Sequence, residues 1–359
     1  MSRNARIHAI TFLLLGWLIG RPAVVCLGAE PAARADPGHG RVVIVHDPEA
    51  TDAFAARPEK VRDMVRLGIK KFAGRTNVAE AWRTLVSTQD VVGIKVYCAP
   101  GPGSGTRPAV VEGVIEGLLE AGVPAQNILI WDRQRGDLRL AGFYEVAARY
   151  SVRVDGSVNA GFDEESFYNP DRPIFGQLVY GDLEFGRPGE LLGRKSYVSK
   201  LVSRRMTKII CVSPLLNHNT AGVCGNLFSL AAGSVDNFRR FETTAFRLAT
   251  AVPEVYGLAQ VGDLGDRVAL NITDALICQY HGEQRSLLHY SVPLNELRFS
   301  KDPVALDLLS LRELDRQRDA AKDAPRSEWS TNHLELIQNA AELQLGTGDV
   351  DKIKIERVP

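Results

Sequence analysis

The run DVVGIKVYC (Asp90–Cys98) constrains this chain more than any other segment. From Val91 to Cys98 it is apolar except for Lys95, whereas a strand with one solvated face alternates. Such a run belongs in a parallel sheet covered on both sides. The glycine-rich loop APGPGSGTRP follows it, then a helix over Pro108–Ala121 that opens on Pro108 and stops at Gly122. A proline at the first helical position and a glycine past the last turn suit those roles. NILIWD (Asn127–Asp132) supplies the next strand. Strand, loop, helix and strand in this order require a right-handed crossover and a parallel pair.

The same signals extend the pattern. RVVIVHD (Arg41–Asp47) reads as a first strand, with helices over Pro58–Phe72 and Val78–Val86. Later strands are expected at Lys208–Val212, Val268–Ile277 and DKIKIERV near the C-terminus. Helices are expected at Asn226–Ala232, Phe238–Ala251, Pro303–Ala321 and Asn332–Leu345. Between 155 and 200 the chain is rich in Gly, Pro, Asp and Asn and lacks periodic runs, which reads as a loop-rich, lid-like insertion. The expected fold class is α/β: a mostly parallel sheet flanked by helices, forming a single domain over 41–359.

The N-terminus has the pattern of an export signal. Arg3 and Arg6 precede the apolar run Ala9–Ile19, then Pro22 and small residues. A signal peptide over 1–29, cleaved within 28–35, places the protein in the periplasm or outside the cell. Lipidation at Cys26 is a minor alternative, because Ala23-Val24-Val25 is a poor lipobox. Eleven apolar residues are too few to span a bilayer, so no transmembrane helix is expected in the mature protein. The full chain balances 43 basic against 43 acidic residues. Cleavage after Ala35 removes Arg3, Arg6, Arg21, Arg34 and Glu30 and leaves a net charge of −3. That balance excludes sequence-independent nucleic-acid binding, which needs a basic footprint.

Cys98, Cys211, Cys224 and Cys278 remain, and none belongs to a C-x-x-C pair. An iron–sulfur cluster held by cysteines is therefore not expected. Export permits disulfides, but the spacing selects no pairing; buried thiols are the simpler reading.

Polar residues that follow apolar strands are the candidate site, because open α/β sheets place their ligands beyond the carboxyl ends of the strands. Asn217, His218 and Asn219 follow the Lys208–Val212 strand and Ser213-Pro214. His218 could be a general acid or base, a metal ligand, or a structural hydrogen-bonding group. Lys95 is either a solvated edge lysine, a cation aimed at an anionic ligand, or the partner of a carboxylate. Gly103, Ser104, Gly105 and Thr106, with the helix start behind them, could cradle an anion or simply connect two elements. Asp132 could act as a base, bind a metal, or cap the next turn. Asp302 is a natural N-cap before Pro303 and a candidate ligand-binding residue. Asp307, His281 and His333 are secondary candidates. The ligand so implied is a small anionic molecule or a metal ion, and the sequence names no cofactor.

These residues resemble the DUF362 family. The resemblance rests on Lys95 with Thr106-Arg107-Pro108, Asp132, NHNTAGVCGNLFSLAAGSVDN (Asn217–Asn237), Asp274-Ala275, DPVALD (Asp302–Asp307), and His333 with Ala340-Ala341 and Gly346. It covers about 91–358. Asn217 stands where many relatives carry a lysine, and the ferredoxin-type cysteine runs of some relatives are absent. The family has no settled activity, so the resemblance implies a fold and a site map rather than a reaction.

Overall fold

The strands in chain order are β1 (Arg41–His46), β2 (Thr51–Asp52), β3 (Ala55–Ala56), β4 (Val92–Val96), β5 (Ile128–Asp132), β6 (Arg153–Gly156) and β7 (Phe162–Tyr168). They continue with β8 (Gly176–Gln177), β9 (Leu192–Gly193), β10 (Ser196–Ser199), β11 (Lys208–His218), β12 (Gly222–Val223), β13 (Val268–Gln279), β14 (Ser291–Ser300) and β15 (Lys354–Val358). This computed structural model describes residues 40–188, 191–258, 267–282, 285–321 and 333–359. The expected signal segment, its cleavage range 28–35 and Cys26 lie outside the described residues.

The central sheet has the order β15-β1-β14-β13-β11-β4-β5-β6, with β12 folded back on β11. Its ladders are parallel except for those of β14, antiparallel to β1 and β13, and the β11–β12 hairpin. The fold is α/β, a mostly parallel sheet between layers of helices. Successive residues of a strand point to opposite faces. Ile94, Ile130, Ile210, Val212 and Ile272 pack on one face, with side chains of helices Pro58–Ala73, Pro108–Glu120 and Phe143–Tyr150. Leu129, Trp131, Ile209 and Cys211 pack on the other, with helices Asn226–Ser234, Ala245–Tyr256 and His333–Glu342. Alternation puts Lys95 on the second face, which carries the candidate site.

The sequence reading did not include β6 or β14, and two expected elements have different bounds. The strand expected to end at Val212 runs through Pro214 to His218. Pro214 has no N–H to give a ladder, and it is tolerated because β4 stops pairing at Val212 and the β13 register shifts between Pro214 and Leu216. The helix expected over Phe238–Ala251 is Ala245–Tyr256, because the Thr244 hydroxyl accepts the Arg247 N–H and sets the start there. Phe238–Arg240 is a separate 3-10 turn.

Within 155–200, β7 pairs with β10 and β8 with β9. Arg240, 1 % exposed, holds this excursion down by donating to the carbonyls of Tyr168, Ile174 and Arg194 and to the Ser196 hydroxyl. A bridge between Val198 and Val235 joins it to the end of helix Asn226–Ser234.

Candidate functional site

The strand order reverses between β4 and β11: β5 and β6 follow β4 on one side, and β11 lies on the other. In open α/β sheets the crevice beyond such a switch point usually receives the ligand. Here the chain fills it. The Thr106 hydroxyl donates to the Val212 carbonyl (2.7 Å) and accepts the Tyr97 N–H (2.9 Å), so one side chain bridges the two strands. The Gly105, Thr106 and Arg107 N–H groups go to Gly101 O, Tyr97 O and Asp274 Oδ2. A Cβ at Gly105 would stand 2.7 Å from Tyr97 O, so only glycine allows this approach. The Arg107 guanidinium pairs with Asp274 (2.9 Å), and Ser104 Oγ donates to Gln279 Oε1 (2.5 Å). Gly103 is exposed, and its carbonyl accepts from Arg107. Three of the N–H groups that could have cradled an anion, those of Gly105, Thr106 and Arg107, are committed to the protein.

Lys95 and Asp132 meet in the interior. Lys95 Nζ donates to Asp132 Oδ1 (2.9 Å), Val96 O (2.6 Å) and Ser229 Oγ (3.1 Å), which uses all three ammonium donors. The second Asp132 oxygen accepts the Cys98 N–H at 2.8 Å. Lys95 is fully buried and Asp132 nearly so. Of the alternatives open for Lys95, the structure shows the carboxylate partner. Burial of a charge is tolerated when it is paired and hydrogen-bonded, and this pair ties β4 and β5 to helix Asn226–Ser234.

The small residues from Ala221 to Gly233 have packing explanations. A Cβ at Gly233 would lie 2.2 Å from Lys95 Cε, and one at Gly225 would lie 2.2 Å from Asp307 Oδ1. Asp307 caps helix Asn226–Ser234 from outside, accepting the N–H groups of Asn226 (2.7 Å) and Leu227 (2.9 Å). A helix start leaves such N–H groups orphaned and attracts negative charge, and Asp307 answers both needs. Burial pushes its carboxyl up to about 7.

His218 ends β11 and lines a cavity of about 600 Å³. Asn219, Thr220, Glu242, His281, Arg285 and Tyr290 share its walls. The cavity therefore lies beyond the carboxyl ends of β11 and β13. His218 Nδ1 accepts the N–H groups of Ala221 (3.0 Å) and Thr220 (3.2 Å), and the ring packs on Phe228 with centroids 4.3 Å apart. Burial, with a smaller contribution from His333, pushes its pKa down to about 4. The imidazole is neutral at physiological pH, and because Nδ1 accepts, the proton sits on Nε2. Nε2 is thus a donor rather than a basic lone pair. His281 stands edge-on to Tyr290 at 4.8 Å, and its pKa is also lowered, first by burial and then by Arg318.

The sequence-derived candidates thus separate into groups. His218 and Asn219 line the cavity. Asn217 stands behind them, its amide donating to Asn219 Oδ1 at 3.2 Å. Ser104 reaches the back of the cavity through Gln279, whose amide also donates to the His281 and Arg285 carbonyls. Lys95 and Asp132 lie inside the protein, joined to His218 through the adjacent Ser229 and Phe228. Asp302 is at the opposite end of the sheet. It caps helix Pro303–Ala320 through the Ala305 N–H (2.8 Å) and accepts the N–H groups of Gly40 and Thr347 (2.8 Å each). Glu242, Arg285 and Tyr290 were missed. The signal for the last two was the polar and aromatic cluster QYHGEQR…HY directly after β13.

Among the described residues, no group of three His, Cys, Asp or Glu side chains is arranged to hold a metal ion. Cys98, Cys211, Cys224 and Cys278 are buried thiols rather than disulfides. Among the described residues no helix is long and apolar enough to cross a membrane.

No family model matches the chain, and no curated protein matches it. Among solved structures it is similar to a Thermotoga maritima protein determined by the Northeast Structural Genomics Consortium, at 12% identity and a TM-score of 0.39. That match covers 76% of this chain and 60% of the other, so the chain spans less than two thirds of that protein's length.

Proposed function

We propose that this chain is an exported, DUF362-like protein that binds a small anionic molecule in the cavity in front of His218. One observation carries the reading: a neutral His218, fixed as a donor by two backbone N–H groups, shares a polar cavity with the Arg285 guanidinium and His281. A neutral Nε2–H and a guanidinium both recognise carboxylate or phosphate oxygens. Lys95 and Asp132 stay outside the ligand's reach because each already holds the other. Binding without proton transfer is therefore favoured over acid/base chemistry at His218. A catalytic reading has one support, the Glu242 carboxyl in the same cavity.

The test is native mass spectrometry and elemental analysis of protein purified from its exported location, followed by titration with carboxylate and phosphate ligands. Arg285→Gln should weaken the bound anion at least 10-fold, while Glu242→Gln keeps the affinity. Equal affinity in wild type and Arg285→Gln would sink the reading. Loss of a measured turnover in Glu242→Gln with binding intact would favour catalysis, and a stoichiometric metal would replace the anion. N-terminal sequencing of the exported form tests cleavage within 28–35.

A further inference from the structure

A second concentration of charge lies at the β15 edge of the sheet. A groove of about 170 Å³ is lined by Arg298 of β14, Arg312 and Arg316 of helix Pro303–Ala320, and Arg357 of β15. Four guanidinium groups meet there in a chain whose charges otherwise balance. Two carboxylates answer them and both are fully engaged. Glu296 Oε2 accepts Arg298 Nε (3.0 Å) and Nη2 (2.7 Å), and its Oε1 accepts Arg357 at 3.0 Å. Glu313 accepts Arg316 through both oxygens (3.1 and 2.6 Å) and also the Gln317 amide. Arg312 makes no hydrogen bond or ion pair among the described residues, and two positive charges remain uncompensated.

Solvated arginines on a helix face are commonplace, but two features set this groove apart. Arg298 is only 4 % exposed, so one of its cations is built into the wall rather than extended into water. The groove also has apolar lining, Ile44, Leu309 and Ile355, against which the stem of a bound molecule can pack. Guanidinium forks match the paired oxygens of a phosphoryl group, whereas a halide or a single point charge uses them poorly. We propose that this groove is a binding site for a phosphoryl oxyanion, with Arg312 as its uncommitted donor and Arg298, held by Glu296, as a fixed cation beside it. The same chemistry is presented by a small soluble phosphate compound and by a phosphate-bearing lipid headgroup.

Isotope-labelled protein titrated with sodium pyrophosphate at constant ionic strength tests it by backbone amide shifts. Saturable shifts are expected over residues 309–316 and Lys354–Val358, weakened at least 10-fold in Arg312→Gln and abolished in Arg312→Glu. Arg312 is exposed and unpaired, so neither change threatens the fold. Arg66→Gln, which removes a surface pair with Glu120, should leave binding unchanged. Sedimentation with phosphatidylcholine vesicles, with and without phosphatidic acid, separates the sources: capture by acidic vesicles that Arg312→Glu abolishes identifies a headgroup, and saturation by pyrophosphate a soluble ligand. If neither probe saturates the groove, or Arg312→Glu binds like wild type, the proposal fails. Shifts confined to the amides around Arg285 and Tyr290 would reject this groove and leave the His218 cavity standing.

Discussion

Lys95 Nζ lies 2.9 Å from Asp132 Oδ1 in the interior, and neither side chain reaches the cavity lined by His218. A lysine and an aspartate at the carboxyl ends of neighbouring parallel strands look like catalytic groups in sequence. Here their charges are spent on each other, on two backbone groups and on Ser229. Removing one partner of a buried pair leaves an uncompensated charge and costs about 3–5 kcal/mol. Lys95→Met and Asp132→Asn should each lower stability on that scale in urea unfolding. The double variant Lys95→Met/Asp132→Leu should lose less than the sum of the single variants. A Lys95→Met protein with wild-type stability would show that the pair does not carry this structural role.

Thr106 gives a second test, at the switch point. Its hydroxyl joins Tyr97 N to Val212 O where the β4–β11 ladder ends. Thr106→Val keeps the shape but strands both backbone groups in a buried site, at about 1–3 kcal/mol for each group left unsatisfied. Thr106→Ser preserves the hydroxyl and should lose much less. Thermal unfolding of the two variants decides it: equal losses would mean that the methyl, not the bridge, matters.

Much of the fold was legible because it rests on local signals. The apolar runs at Val92–Val96 and Ile128–Asp132, Pro108 at a helix start and the Asp302 cap each act within a few residues. The extension of β11 to His218 was not legible, since it depends on β4 ceasing to pair at Val212, which no local pattern encodes. The site was legible only in part. Residue type and position identified His218 and Asn219, but whether a polar side chain faces a cavity or another side chain depends on contacts over long separations. Asp132 is 37 residues from Lys95, and Asp307 is 81 from the Asn226 N–H that it caps. Glu242 lay in an unremarkable stretch and joined the cavity only through the fold.

The depressed pKa of His218 makes a pH prediction with a definite sign. The folded protein binds fewer protons at this ring than the unfolded chain between pH 6.5 and about 4. The stability it contributes is present above 6.5 and is lost as pH falls toward 4. Over that window the loss approaches about 3 kcal/mol, at 1.36 kcal/mol per pKa unit. Asp236 and Asp307, both pushed up to about 7 by burial, act in the opposite sense, losing stability as pH rises through 7. The two trends overlap, so the whole-protein slope conceals each. The informative quantity is the difference between wild type and His218→Gln in urea unfolding from pH 7 to 4.5. That difference should shrink as pH falls, and a constant difference would remove the buried neutral histidine from the account.

The same tautomer fixes how ligand affinity should respond to pH. If His218 recognises the anion as a neutral Nε2–H donor, its contribution does not change between pH 8 and 6, well above a pKa of about 4. A guanidinium does not change charge in this range. Affinity for a strong-acid ligand, such as a sulfonate analogue of the bound carboxylate, should then stay within about 2-fold from pH 8 to 6, because neither ligand nor donors titrate. An imidazolium at His218 would instead tighten binding about 10-fold for each pH unit of descent above its pKa. Titration calorimetry at three pH values, with Arg285→Gln run in parallel, separates the cases. A steep rise on acidification that persists in Arg285→Gln would assign the charge to a histidine and overturn the neutral-donor geometry.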